Sequence, residues 1–183
     1  SDRGAQVAAR AAVTKRSALL VGTTALSPET LSMLRDAARS VPVMVAPNTS
    51  LGVAVTRRLV AEAARLLGSE FDIEIVERHH RHKLDAPSGT AKALAESLDG
   101  AGRPISPERI HAQRLGDVIG EHTVTFAGPG EVIEIRHAAT SRDLFARGAL
   151  RLSSWLVHRP AGWHTVEEWI SELKHSHGPG GFA

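Results

Sequence analysis

Residues 77–90, Glu-Arg-His-His-Arg-His-Lys-Leu-Asp-Ala-Pro-Ser-Gly-Thr, bring together the side chains of this chain best suited to chemistry. His79 or His80 can donate a proton near neutral pH without special tuning. Lys83 can neutralise a carboxylate or a developing negative charge. Pro87-Ser88-Gly89-Thr90 has the form of a helix start: Ser88 is a good N-cap, Gly89 leaves backbone N–H groups open to an anion, and Thr90 adds a hydroxyl. Alone, the two histidines could be a solvated basic loop, and the Ser-Gly-Thr start a merely well-capped helix. Side by side they point to a proton donor, a fixed cation and an anion cradle for one small ligand.

These residues need a scaffold, and the flanking pattern provides one. Residues 71–77 alternate in polarity as a strand with one wet face does, and Ser88 to about Leu98 suits a helix. In the extended part adjacent side chains point to opposite faces, so His79 and His80 are expected to do different jobs. Upstream, a helix over Ala5 to Arg16 leads to a buried strand, residues 18–21, that ends at Gly22-Thr23-Thr24. A Ser27-capped helix with Pro28 at its first position runs to about Arg39. Val41 to Ala46 is a second strand stopped by Pro47-Asn48, and Leu51 to Leu67 a long helix with Val53, Val55, Leu59, Val60, Ala63 and Leu66 as its apolar positions. Such alternation argues for parallel connections, whose ligands bind at the carboxyl ends of strands. Gly22, Thr23 and Thr24, and Ala46, Pro47, Asn48 and Thr49, are therefore candidate rims of a binding site. Plain turns would explain both loops equally well.

Further strands are expected over Arg109 to Arg114, His122 to Ala127 and Val132 to Ala138, then a helix from Ser141 to about Val157. A Thr165/Glu168 capping box opens a final helix. His122 and His137 read as packed or exposed strand residues, the 114–122 stretch as a turn, and Trp155, Trp163 and Trp169 as core. His175 and His177 read as incidental. The fold class is thus α/β and α+β: an incomplete Rossmann-like parallel sheet, then an α+β domain with a mixed open sheet. The boundaries are 1–50 for the nucleotide-binding part, 51–157 for substrate binding, catalysis and oligomerisation, 158–174 for a helix returning to the nucleotide-binding part, and 175–183 for a disordered tail.

Composition narrows the function classes. The 183 residues are 42% hydrophobic and 23% charged, an ordinary globular balance. A net charge of +2 without basic runs gives no argument for nucleic acid or a membrane surface. No apolar run approaches a membrane span. The absence of cysteine removes disulfides and thiolate metal sites, and no metal is expected. These features describe a cytoplasmic enzyme.

Residues 77–91 resemble the signature of dihydrodipicolinate reductases, enzymes of the diaminopimelate route to lysine. Residues 21–24, 46–53, 116–123 and 145–149 follow in the family's order, so the likeness covers about Ala18 to Ile170. The resemblance implies NADPH- or NADH-dependent reduction of a cyclic unsaturated dicarboxylate to tetrahydrodipicolinate by a homotetramer built through the carboxyl-terminal sheet. It makes His79 the proton donor, Lys83 the second catalytic group, and His80, Gly89 and Thr90 holders of substrate carboxylate. Gly22, Thr23, Thr24 and Ala46 to Thr49 would line the nicotinamide end of the cofactor site.

The chain departs from the family at Ala25, where a glycine is usual, at Thr49, where a bulkier residue is commoner, and in an abbreviated segment from Gly102 through Arg109. Before Gly22 no G-x-G-x-x-G occurs. Two βαβ units, roughly 60 residues, would be needed to supply that part of the fold. The alternative is a non-catalytic dicarboxylate-binding or oligomer-forming fragment that lacks cofactor binding.

Overall fold

The computed structural model describes residues Ser1–Ser176 and divides into two compact units, 1–50 with 145 onward, and 51–144. The tail expected from His175 lies, beyond Ser176, outside the described residues, as does His177.

The first unit contains α1 (Asp2–Lys15), β1 (Leu19–Val21), α2 (Pro28–Ala38) and β2 (Pro42–Val45). The later segment adds most of α5 (Asp143–Leu156), then β7 (Gly162–His164) and α6 (Val166–Ser176). Its three strands are parallel in the order β1-β2-β7. Ser27 caps α2 by accepting a bond from the Thr30 N–H at 3.2 Å, and Pro28 occupies the first turn, where its missing N–H costs nothing. Ala5, Ala9 and Ala12 form the buried stripe of α1 and share a core with Leu34, Ala37, Val21 and Val43. Their small size lets helix backbones approach closely. Strand β7 is absent from the sequence reading, because three residues beside Pro160 are too few to show a period. Of the three tryptophans only Trp169 is buried; Trp163 is 36% exposed on β7, and Trp155 is half-buried.

The second unit contains α3 (Leu51–Leu67), β3 (Asp72–His79), α4 (Gly89–Asp99), β4 (Ile110–Arg114), β5 (Glu121–Gly128) and β6 (Glu131–Ala138). Its mixed sheet has the order β4-β3-β5-β6, with β3 and β4 parallel and the other pairs antiparallel. Ile73, Ile75, Val124 and Phe126 meet Val60 and Ala64 of α3 and Ala91, Leu94 and Leu98 of α4 in one core. The buried line of α3 is Val53, Thr56, Val60 and Ala64, while Val55, Leu59 and Leu66 are exposed. A hydrophobic stripe broad enough to fit two neighbouring faces left that choice to the packing partners.

The division at Leu144 groups α5 with the first unit, not with the 51–157 segment expected from sequence. The cause is a close backbone approach: Gly148 of α5 lies so near Thr49 that a Cβ there would sit 1.8 Å from the Thr49 carbonyl oxygen. The Thr49 hydroxyl also donates to the Phe145 carbonyl at 2.7 Å.

Candidate active site

Strand β3 explains why the chemistry gathers where it does. Its side chains alternate, so Ile73, Ile75, Glu77 and His79 share the buried face. The first two are core residues; the next two carry polar groups into the same interior. Glu77 is 0% exposed, and four donors surround its carboxylate. Arg114 of β4 presents its fork at 2.8 and 2.9 Å, His79 Nδ1 lies 2.5 Å from one oxygen, and the Ser88 N–H donates at 3.0 Å to the other. Burial alone would push the Glu77 carboxyl up. The Arg114, His79 and Ser88 hydrogen bonds outweigh it and hold the group below its usual value.

Arg114 reaches this position because β4 runs parallel to β3 with His79 and Arg114 in register. Its guanidinium also donates to the carbonyls of Asp85 at 2.6 Å and Lys83 at 3.3 Å. The loop that follows β3 is thereby tied to the strand beside it.

On the other side, His122 of β5 is the cross-strand partner of Glu77. Its ring packs edge-on against His79 with centroids 5.2 Å apart, and its Nε2 lies 3.0 Å from Ser88 Oγ. That oxygen also accepts from the Ala91 N–H at 3.1 Å as the N-cap of α4, so one hydroxyl joins the helix start to the His122 ring. Burial, with His79 adding repulsion, pushes His122 down to about 4. It is neutral at pH 7.

The sign of the resulting pH effect is fixed. The unfolded chain takes up a proton on this residue near pH 6.5, whereas the folded chain resists until about pH 4. His122 therefore contributes no penalty above pH 6.5 and an increasing one as pH falls to 4, on the order of 3 kcal/mol at the lower limit. Denaturant unfolding at pH 7 and pH 4.5 should show a smaller stability loss in His122→Asn than in the wild type. An equal loss in both would place the pH sensitivity elsewhere.

Among the sequence-derived candidates, His79, His80, Lys83, Gly89 and Thr90 all fall in the second unit, at and beyond the carboxyl end of β3. His80 lies past the strand end and is half-buried, with its ring 6.4 Å from that of His82. Slight desolvation and the nearby Arg142, His79, His82 and Lys83 push it down. Lys83 Nζ donates to Asp85 Oδ1 at 2.7 Å. Gly89 is the first residue of α4, exposed, with nothing within 4 Å of where a Cβ would be. Thr90 follows it, half-buried. The arrangement can donate a proton from one ring and hold a carboxylate with a cation and a helix amino terminus.

Gly22, Thr23, Thr24, Ala46, Pro47, Asn48 and Thr49 belong to the first unit. Strands β1 and β2 are adjacent and parallel with Val21 opposite Val45, and the Ala46 N–H donates to the Val21 carbonyl at 2.8 Å. The two loops therefore leave the same edge of the sheet together, where dinucleotides bind in doubly wound folds. Gly22, Thr24 and Pro47 are exposed. Asn48 Oδ1 accepts from the Ser50 N–H at 2.9 Å, and the Thr49 hydroxyl is spent on Phe145, so both side chains shape the loop.

Ala25 closes the first loop at φ 52°, a left-handed conformation that costs an L-residue about 1 kcal/mol. Ala25→Gly should raise the denaturant midpoint by a matching amount. An unchanged or lower midpoint would contradict that geometry.

Three participants escaped the sequence reading: Glu77, Arg114 and His122. The signal for Glu77 was available, since it continues the Ile73–Ile75 face. Arg114 and His122 arrive by strand register, which no local pattern announces.

Residues 52–170 match the family model described as dihydrodipicolinate reductase, C-terminus. The chain belongs to the dihydrodipicolinate reductase family. A 4-hydroxy-tetrahydrodipicolinate reductase of Anaeromyxobacter dehalogenans strain 2CP-1 is 47% identical over 92% of this chain and 67% of its own length. Its counterpart from Myxococcus xanthus is 45% identical over 82% and 62%. This member of the family thus spans about two thirds of the length of the curated relatives it matches. Among solved structures, the dipicolinate-bound dihydrodipicolinate reductase of Paenisporosarcina sp. TG-14 superposes with a TM-score of 0.77 at 25% identity, covering 93% of this chain and 71% of that one. The α/β and α+β fold, with one parallel and one mixed sheet, is consistent with that likeness.

Proposed function

We propose that this protein reduces 4-hydroxy-tetrahydrodipicolinate (dihydrodipicolinate) to tetrahydrodipicolinate in lysine biosynthesis, with NADPH or NADH as the reductant. The observation that carries the proposal is the convergence of His79, Lys83 and the α4 amino terminus at the end of β3, with a buried carboxylate behind the histidine. The dipicolinate bound by the structural relative is a planar cyclic dicarboxylate of the same class.

The charged His79 ring gives up its proton from Nε2, because Nδ1–H is turned to Glu77. Lys83 exchanges Asp85 for a substrate carboxylate, and Gly89 and Thr90 receive that carboxylate at the positive end of α4. His80 provides a further donor on the opposite side of the chain. When bound, reduced nicotinamide supplies a hydride; Gly22, Thr23, Thr24 and Ala46 to Thr49 hold its amide end. The 4-hydroxy compound loses water to give dihydrodipicolinate; a hydride from that nicotinamide and one proton from His79 would then reduce one of its double bonds, leaving His79 neutral until solvent reprotonates it.

Such an enzyme acts in the cytoplasm. Assembly as a homotetramer through the mixed sheet is supported by β6, an edge strand with Val132 62% and Ile133 37% exposed. Among the described residues no helix is long and apolar enough to cross a membrane.

The test is oxidation of NADPH and of NADH by the purified protein with freshly generated substrate, beside His79→Ala. Loss of a general acid is expected to lower turnover about 10²- to 10⁴-fold. Turnover that survives the substitution would remove His79 from its role.

A further inference from the structure

We propose that Glu77 and Arg114 are a positioning pair: the Glu77 carboxylate sets the protonation pattern of the His79 ring, and Arg114 holds the Lys83–Asp85 loop against it. The proposal rests on the reading of His79 as proton donor.

Each donor to Glu77 belongs to a different part of the site. His79 is the acid, Ser88 is the N-cap of α4, and Arg114 binds the carbonyls of Lys83 and Asp85 as well as both carboxylate oxygens. One side chain thus fixes the acid, the start of the anion cradle and, through Arg114, the segment bearing the lysine. A buried ion pair contributes little net stability for its desolvation cost, so stability alone gives weak reason for placing a carboxylate here.

The geometry also decides the tautomer. An ionised carboxylate only accepts hydrogen bonds, so the hydrogen between Glu77 and His79 belongs to Nδ1. The three other donors around Glu77 favour the ionised form. The neutral ring is left with a bare Nε2, ready to be recharged, and the charged ring can lose a proton to a ligand only from Nε2. The ring cannot easily turn away. A Cβ on Gly120 would lie 3.0 Å from Nε2, and His122 closes another side. The same logic of a carboxylate orienting an acid–base histidine underlies serine protease triads.

A glutamine at position 77 cannot accept from all four donors. Its NH2 would face either His79 Nδ1 or the Ser88 N–H, and Arg114 in both cases. Protein with 15N-labelled histidine, at a pH where the ring is neutral, reports the tautomer directly, with His79→Gln assigning the signal. Wild type should show one tautomer protonated at Nδ1; Glu77→Gln should show a mixed or reversed one, with kcat lower by about 10²-fold or more. Arg114→Lys keeps a cation beside Glu77 but cannot span the Lys83 and Asp85 carbonyls. It should retain the wild-type tautomer while KM for the dicarboxylate rises about tenfold, the worth of a lost charge-assisted hydrogen bond.

A wild-type tautomer in Glu77→Gln, or kcat within about twofold of wild type, overturns the role of Glu77. An unchanged KM in Arg114→Lys overturns that of Arg114, and this variant remains decisive if Glu77→Gln does not fold. Should the wild type show no turnover, the tautomer measurement still judges the positioning of His79, and the failure belongs to the proposed reaction.

Discussion

Replacing Arg114 with alanine is expected to destabilise the second unit by about 3–5 kcal/mol, the range found when one partner of a buried ion pair is removed. Glu77 is 0% exposed and would keep only the His79 and Ser88 donors. Its burial already opposes ionisation; without the guanidinium the carboxyl must either stay charged at high cost or take up a proton. Protonation would cancel the charge that orders His79. Arg114→Ala should therefore unfold at markedly lower denaturant than wild type at pH 7. Its deficit should narrow toward acid, where the wild-type carboxylate is also neutralised and the stability it contributes when ionised is lost. A double-mutant cycle with Glu77→Gln checks the coupling: the two losses should add to much more than the double variant shows. Additive losses would mean that the pair is not the unit its geometry describes.

Gly148→Ala sets two effects against each other. In the interior of α5, alanine should gain about 1 kcal/mol over glycine from helix propensity. The new methyl group, however, would lie 1.8 Å from the Thr49 carbonyl oxygen and 2.8 Å from its carbon. Backbone, unlike the end of a flexible side chain, cannot step aside locally. Either α5 shifts or the 48–50 turn opens, and the bond from Thr49 to the Phe145 carbonyl goes with it. Overpacking of this kind costs about 1–3 kcal/mol and occasionally more, so the net sign should be destabilising. Thermal unfolding of Gly148→Ala below that of wild type, with weakened nicotinamide dinucleotide binding, is the expected result. A raised melting temperature would show that the approach of α5 to the loop is looser than described.

How far the sequence carried depends on which residues interact with near neighbours and which through strand pairing. The alternation of residues 71–77 placed the strand, and the Ser88 start placed α4, because capping and period two are local properties. That alternation also held the information that Glu77 and His79 share the buried face. The cations packed beside it, from Arg78 to Lys83, obscure that period in the sequence. Arg114 and His122 are different. Each acts only because β4 lies parallel and β5 antiparallel to β3 in a given register, and pairing between distant segments leaves no mark in either.

Strand β7 and the grouping of α5 with the first unit likewise depend on distant segments. Gly162–His164 is held by β2, not by its own propensity. The grouping of α5 with the first unit rests on a glycine meeting a carbonyl from a loop 99 residues earlier.

The most direct test of the site is a titration of the protein with dipicolinate, followed through the His79 ring and Thr90 backbone signals by NMR, in wild type and in Lys83→Ala. The site described here predicts saturable binding that perturbs both groups and weakens about tenfold or more without the lysine, as loss of a charge-assisted contact requires. Binding that leaves both signals unmoved, or that is indifferent to Lys83, would contradict the assignment of this constellation to a dicarboxylate.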